Sequence, residues 1–405
     1  MKKKLLSVIC MCTMLISLTA CGAGTGGDGG SGDSGSEDEI TLRFSWWGGD
    51  SRHQATLDVI ELYESKHPGI KIEAEYGGAD GYKDKRMTEM AGKNAPDIMQ
   101  IDAPWLYEMQ TQFDAFADLS QFEDVLDMSG FDEDFVNSHC ALGGTIYGLP
   151  TGINGTYMLM NTAILDAAGI DSTQEWTWDS LLEDGAKVHA SDPEAYFLNL
   201  DQHSLTYHVL RPYIKQLFDE GVMEPASESF MYIDAFYDNP IWVNNKVGAD
   251  IDWTSSLSAR MAGFADTAAV TKVPQMENAK DTGILVRPAQ IMCISNTSEH
   301  QKEAAEFIDF FLNDEEAISI LKLERSVPAT EAARQQLTES GDLDEIVNSA
   351  VNLALENAGA TENAISQDMQ LENILTDALE NVGYGTATPE EIAKETYGLL
   401  FWSCW

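Results

Sequence analysis

The residues best suited to hold a ligand come in three short clusters. Trp46-Trp47-Gly48-Gly49-Asp50 joins two indoles to a carboxylate, Asp102 and Trp105 repeat the combination, and Asp252-Trp253 gives it a third time. An indole offers a flat apolar face that also attracts cations, and a carboxylate accepts hydrogen bonds. Such a set captures a polar ligand without breaking its bonds. Bond-making chemistry has weaker support: the sequence contains no Gly-x-Ser-x-Gly, no P-loop and no His-Glu-x-x-His. His203 and His208 stand off the i,i+4 spacing that would aim both at one metal. With 67 acidic residues, chance carboxylate pairs abound, so none marks a glycosidase. No catalytic residue, metal or cofactor is expected.

Bulk properties narrow the class. A chain of 405 residues, 44% of them apolar, is globular and too long for one simple core, so two domains are expected. A net charge of −43 argues against nucleic acid and against a polybasic membrane contact. Lys2-Lys3-Lys4 and the apolar run Leu5 to Leu18 read as a signal segment, too short for an ordinary membrane span. Leu18-Thr19-Ala20-Cys21 resembles the bacterial lipobox. That resemblance implies a signal peptide over 1–20, a lipid on Cys21, and a protein anchored on the extracellular face of a bacterial cell membrane. Residues 21–39 then form the lipidated cysteine and a flexible Gly/Ser/Asp tether, reaching roughly 20–25 Å. Gly22-x-Gly24-x-x-Gly27 matches a dinucleotide fingerprint by letter alone, with no strand before it and no helix after. Beyond the leader remain Cys140, Cys293 and Cys404. Their wide spacing reads as buried free thiols, with one pair left open.

The elements that must position the clusters follow from periodicity. Thr41 to Ser45 alternates as a strand, 54–66 as a helix with Leu57, Ile60 and Tyr63 on one face, and His67-Pro68-Gly69 stops it. Ile70 to Tyr76 alternates again, a helix spans about 81–92, and 96–102 forms a third strand. This order predicts an α/β layer on a mostly parallel sheet, with ligands beyond the carboxyl ends of the strands. The first two clusters occupy that edge. Ile146 to Asn154 predicts a crossover, Gly155 to Asn161 a strand, and Val247 to Trp253 another strand end. Ile284 to Ile294 is apolar and extended, Ser298-x-x-Gln301 predicts a capping box opening a helix, and 329–405 is mainly helical.

Several stretches, taken in order, resemble the family 1 extracellular solute-binding proteins of ABC importers, sugar-binding lipoproteins related to maltose-binding protein. They are the WWGG opening, Lys66 to Ile72, Asn94 to Ile98, Tyr147 to Pro150, Thr177-Trp178-Asp179, Lys246 to Ala249 and Arg325 to Ala329. The resemblance spans about 40–405. It implies an α/β, two-lobe, periplasmic-binding-protein-like (type II) fold with a ligand cleft between the lobes. The N-terminal lobe would take 40–151 plus 288–327, and the C-terminal lobe 152–287 plus 328–405. It implies a monomer that captures a carbohydrate, above all an oligosaccharide, and delivers it to ABC permease transmembrane subunits. Trp46, Trp47, Trp105 and Trp253 are then the stacking candidates. Asp50, Asp102, Asn154, Asp252 and Arg325 are the hydrogen-bonding candidates. Strand alternation favours Trp47 over Trp46. Asn154 stands at the crossover, where related members often carry an acid. Two other readings remain: binding of a cationic solute such as a polyamine, and a surface glycoside hydrolase.

Overall fold

In the computed structural model, residues 39–200, 211–232, 238–360 and 369–403 are described. The expected signal peptide, Cys21 and its tether to Asp38, His203, His208, Cys404 and Trp405 lie outside them. Side chains two apart share a face of a strand. Leu42, Phe44 and Trp46 accordingly leave one face of β1 (Ile40–Trp47) and are fully buried. Helix α1 (Asp50–Lys66) buries Ala55, Val59, Ile60 and Tyr63. Tyr63 and Phe44 both meet Phe307, at 5.0 and 5.6 Å between ring centroids. There follow β2 (Ile70–Gly77), α2 (Tyr82–Ala91), β3 (Ile98–Ile101) and α3 (Trp105–Phe113). Next come β4 (Gly148–Pro150), β5 (Ile153–Asn161), α4 (Trp178–Ser191) and β6 (Tyr196–Leu198). The later elements that matter are β7 (Val247–Trp253), β8 (Ala268–Thr271), β9 (Val286–Pro288), β10 (Ile291–Ile294) and α5 (Gln301–Asn313).

Two five-stranded sheets result. The first has the order β2-β1-β3-β10-β4. β1 pairs in parallel with β2 and β3, in register Leu42 with Ile72 and Phe44 with Ile98. β10 runs antiparallel to β3 and β4. The sheet is thus half antiparallel where a mostly parallel one was expected, because β10 enters on the return from the other sheet. The second sheet is built on β5: β7, β8 and β9 pair antiparallel with it, and β6 pairs in parallel with β7.

The extended run expected over Ile284 to Ile294 is divided between the sheets, β9 in the second and β10 in the first. The segments passing between the sheets meet at one place. Ile153 N donates to Val327 O at 2.8 Å, Ala289 N to Gly152 O at 2.8 Å, and Thr151 N to Gln290 O at 2.9 Å. Gly152 permits this approach, since a Cβ there would stand 2.2 Å from the Arg325 carbonyl.

Two local details depart from the sequence reading. Ser298 does not cap α5: the N-cap position falls at His300, two residues later, and the Ser298 hydroxyl donates to Asp97 at 2.5 Å while accepting from His300 N at 3.1 Å. A capping box forms instead at α4, where Thr177 Oγ1 accepts from Ser180 N at 3.0 Å and Ser180 Oγ accepts from Thr177 N at 2.9 Å. Beyond Val327 the chain is helical over Glu331–Ser340, Glu345–Glu356, Met369–Gly383 and Pro389–Ser403. Cys140 and Cys293 are free and buried. Among the described residues no helix is long and apolar enough to cross a membrane.

Candidate functional site

The carboxyl ends of β1 and β3 carry an aromatic ledge. Trp47 leaves β1 on the face opposite Trp46. Its ring centroid lies 4.8 Å from Tyr82 and 5.2 Å from Trp105. Trp47 and Trp105 are half-buried, so each keeps indole surface in solvent. Tyr82, at the start of α2, props them from below: it is buried, and its hydroxyl lies 3.0 Å from Ser45 O and 2.9 Å from Gln100 O, donating its one proton to either. Lys83 reaches over the Trp105 ring at 5.8 Å while paired to Glu108 at 2.7 Å. Asp102 lies between β3 and α3, its backbone carbonyl accepting from Trp105 N at 2.9 Å. Burial raises the pKa of its carboxyl, and the opposing pull of Arg287 offsets this only in part. Asp50 is the exposed first residue of α1, and Gly49 holds the N-cap.

The second sheet supplies the facing side. Asn154 pairs with Arg287, and Thr156 with Trp253, in antiparallel register on β5. Directly opposed residues share a face, and so do residues two apart, so these four side chains lie on one face. The Arg287 guanidinium sits 4.2 Å over the Trp253 ring. Asn154 Oδ1 accepts from Ser326 Oγ at 3.2 Å. The electrostatic pull between Asp102 and Arg287 thus links the end of β3 in the first sheet to β9 in the second. The arrangement can stack a flat face on Trp47 and Trp105 and bond its rim to Asp102, Asn154 and Arg287.

Three expected contacts are corrected. Trp46 is 0% exposed: it stacks on Tyr76 at 4.9 Å and its indole N–H donates to His53 Nδ1 at 3.0 Å, so it is core. Asp252 is buried and engaged, its carboxylate accepting from Arg260 Nη2 at 2.6 Å and from Trp253 N at 2.7 Å. Asp250 shares the same guanidinium at 3.2 Å. Burial pulls the Arg260 pKa down, but the two aspartates outweigh it and leave it raised. Arg325 is buried, bonded to Gln100 Oε1 and, at 2.7 Å, to Thr56 Oγ1. Burial, and then neighbouring Arg52, bring its pKa down to about 9, which leaves it charged at neutral pH. Arg325 acts on the ledge only indirectly, since Gln100 also donates to the Trp47 carbonyl at 3.3 Å.

Sequence reasoning missed Tyr82, Gln100 and Arg287. Only Arg287 left a signal: it is the single charge in the otherwise uncharged run Ile284 to Ile294. A concavity of about 770 Å³ lies elsewhere, between Glu123, Asp127, Phe131, Glu133 and Asp309, and none of the candidate residues lines it. Among the described residues no group of His, Cys, Asp or Glu is placed to hold a metal ion.

The sequence profile of a family described as "Bacterial extracellular solute-binding protein" matches residues 49–318. An arabinooligosaccharide-binding protein of Bacillus subtilis is 22% identical over 353 residues, 76% of each chain. A periplasmic oligogalacturonide-binding protein of Yersinia enterocolitica, solved with saturated digalacturonic acid, is 27% identical. It covers 88% of this chain and 97% of its own, at a TM-score of 0.66. A de novo designed cysteine esterase is also similar, 27% identical over 89% of this chain and 97% of its own, at a TM-score of 0.77. The chain belongs to the bacterial extracellular solute-binding protein family and has its two-lobe type II α/β fold.

Proposed function

We propose that this chain captures a carbohydrate, an oligosaccharide above all, outside the cell and hands it unchanged to the transmembrane subunits of an ABC importer. The observation that carries the reading is the half-buried pair Trp47 and Trp105 beside Asp102, with Asn154 and Arg287 opposite. Sugar rings have apolar C–H faces and hydroxyl rims; indoles match the faces, and carboxylate, amide and guanidinium groups match the rims. The ligands named for the relatives, arabinooligosaccharide and digalacturonic acid, support it. In this reading Trp47, Asp50, Asp102, Trp105 and Asn154 touch the ligand, and Trp253 supports Arg287. The lobes comprise 40–151 plus 288–327 and 152–287 plus 328–405, closing by hinge motion about the shared crossing segments. Residues 1–20 are a signal peptide, Cys21 carries lipid, and the protein works as a monomer on the extracellular face of the membrane.

Two observations bear on other readings, a cationic ligand and the esterase chemistry named for one similar structure. Arg287 beside Asp102 would repel a polyamine. Cys140 and Cys293 are 0% exposed, and burial raises both thiol pKa values, which suits neither to the nucleophilic role of a cysteine esterase. Calorimetry of the chain from Cys21 onward, against arabino-, chito- and galacturono-oligosaccharides and spermidine, tests the proposal. The expected result is tight binding of an oligosaccharide recovered intact by chromatography. Hydrolysis products, or binding of spermidine alone, would overturn it.

A further inference from the structure

We infer that the sugar this chain captures carries a carboxylate, and that Arg287 receives it. The inference rests on the carbohydrate reading above and names the class of sugar. Among the arginines whose side chains are described, Arg43, Arg86 and Arg260 are ion-paired with carboxylates. Arg52, Arg325 and Arg334 donate to carbonyl or side-chain oxygens. Arg287 alone, among the described residues, has neither an ion pair nor a hydrogen bond, and it is exposed. Four of these seven arginines have no carboxylate ion pair, but neutral oxygens hold three of the four, and Arg287 is the one left with its N–H groups unclaimed.

The surroundings prepare this group for an oxyanion. Trp253 lies 4.2 Å beneath it, which fixes the guanidinium in place while leaving its N–H edges free. A planar fork so held matches a carboxylate bidentately, a geometry a neutral hydroxyl rim does not need. The register pairing with Asn154 puts an amide beside it to bond a neighbouring hydroxyl. Trp253 therefore serves as a platform for the cation on this face rather than as a sugar-stacking surface. The net charge of −43 does not forbid an anionic ligand, because charges beyond about 8 Å are screened at physiological salt. Asp102 does not forbid it either: burial already raises its pKa, and a ligand carboxylate drawing on Arg287 would favour its neutral form, a hydrogen-bond donor.

The test is calorimetry of the chain from Cys21 onward with di- and trigalacturonate and with the same oligomers after reduction of their carboxyls to alcohols. The wild-type protein should prefer the acidic forms by about 10- to 100-fold. Arg287→Gln should collapse that ratio to near one, and Arg287→Lys should restore part of it, keeping the charge but not the fork. Thermal melting checks that both variants fold. Equal or tighter binding of the reduced oligomers by wild type overturns the inference and leaves the carbohydrate reading standing. An acid preference that survives Arg287→Gln also overturns it. If a folded wild-type protein binds neither these oligomers nor the neutral arabino- and chito-oligosaccharides, the carbohydrate reading falls and this inference with it.

Discussion

Asp102 with Trp105 and Asp252 with Trp253 are the same chemistry written twice, yet the molecule spends them differently. At the end of β3, Asp102 has no ion pair among the described residues, and Trp105 is half-buried against Trp47. At the end of β7, Asp252 is bound to Arg260, and Trp253 lies under Arg287. In the proposed reading the first pair is held ready for the ligand; the second is engaged within the protein. A carboxylate and an indole at a strand end thus identify a place where binding is possible. Availability depends on whether a guanidinium from another element has claimed them.

Substitutions can break or sharpen this contrast. The largest effect is expected from Arg260→Ala, which strands Asp250 and Asp252 as buried charges. Chemical denaturation should show a loss of about 3–5 kcal/mol. A loss below about 1 kcal/mol would mean that Asp252 is not structurally engaged. Trp46→Ala should cost a similar or slightly smaller amount, about 3–5 kcal/mol of stability, because it empties a site 0% exposed. Its neighbour should respond the other way: Trp47→Ala is expected to weaken sugar binding by about 1–3 kcal/mol by calorimetry, with the smaller loss in stability. Equal effects on stability from both variants would abolish the distinction between core and ledge.

Smaller effects probe the support and the charge. Tyr82→Phe removes one hydroxyl between two carbonyls and should destabilise by about 0.5–1.5 kcal/mol. Asp102→Asn should act least on stability. Burial holds the folded-state pKa of Asp102 above its ordinary value of 3.8, so its contribution is fully present below that value and is lost as pH rises through the folded value. At pH 7 the Asn variant should therefore be slightly more stable than wild type, by less than about 1 kcal/mol, and the advantage should vanish below pH 3.8. Denaturation at the two pH values checks this. An Asn variant less stable at pH 7 would show that Asp102, like Asp252, has a structural partner.

Much of the frame was legible along the chain. Alternation in Thr41 to Ser45 and Ile70 to Tyr76, and the helical face of Ile60 and Tyr63, predicted β1, β2 and α1 because these periods are local properties of the backbone. The same period of two separates Trp46 from Trp47: one side chain of an adjacent pair must face the core. The position of Trp47, Asp102 and Trp105 at strand ends was readable for the same reason. The antiparallel entry of β10 was not, since strand direction depends on where the chain has travelled in between.

What the sequence alone determined is therefore the element order, the faces, and the strand ends where indole and carboxylate meet. What only the tertiary structure decided is which of them are free. Arg260 reaches Asp252 from eight residues along the chain, after a turn that no periodicity encodes. Arg287 meets Trp253 and draws on Asp102 only because β9 pairs with β5 while β3 lies in the other sheet. Periodicity is set residue by residue, but ion pairing and stacking act through space and depend on which distant elements the fold brings together.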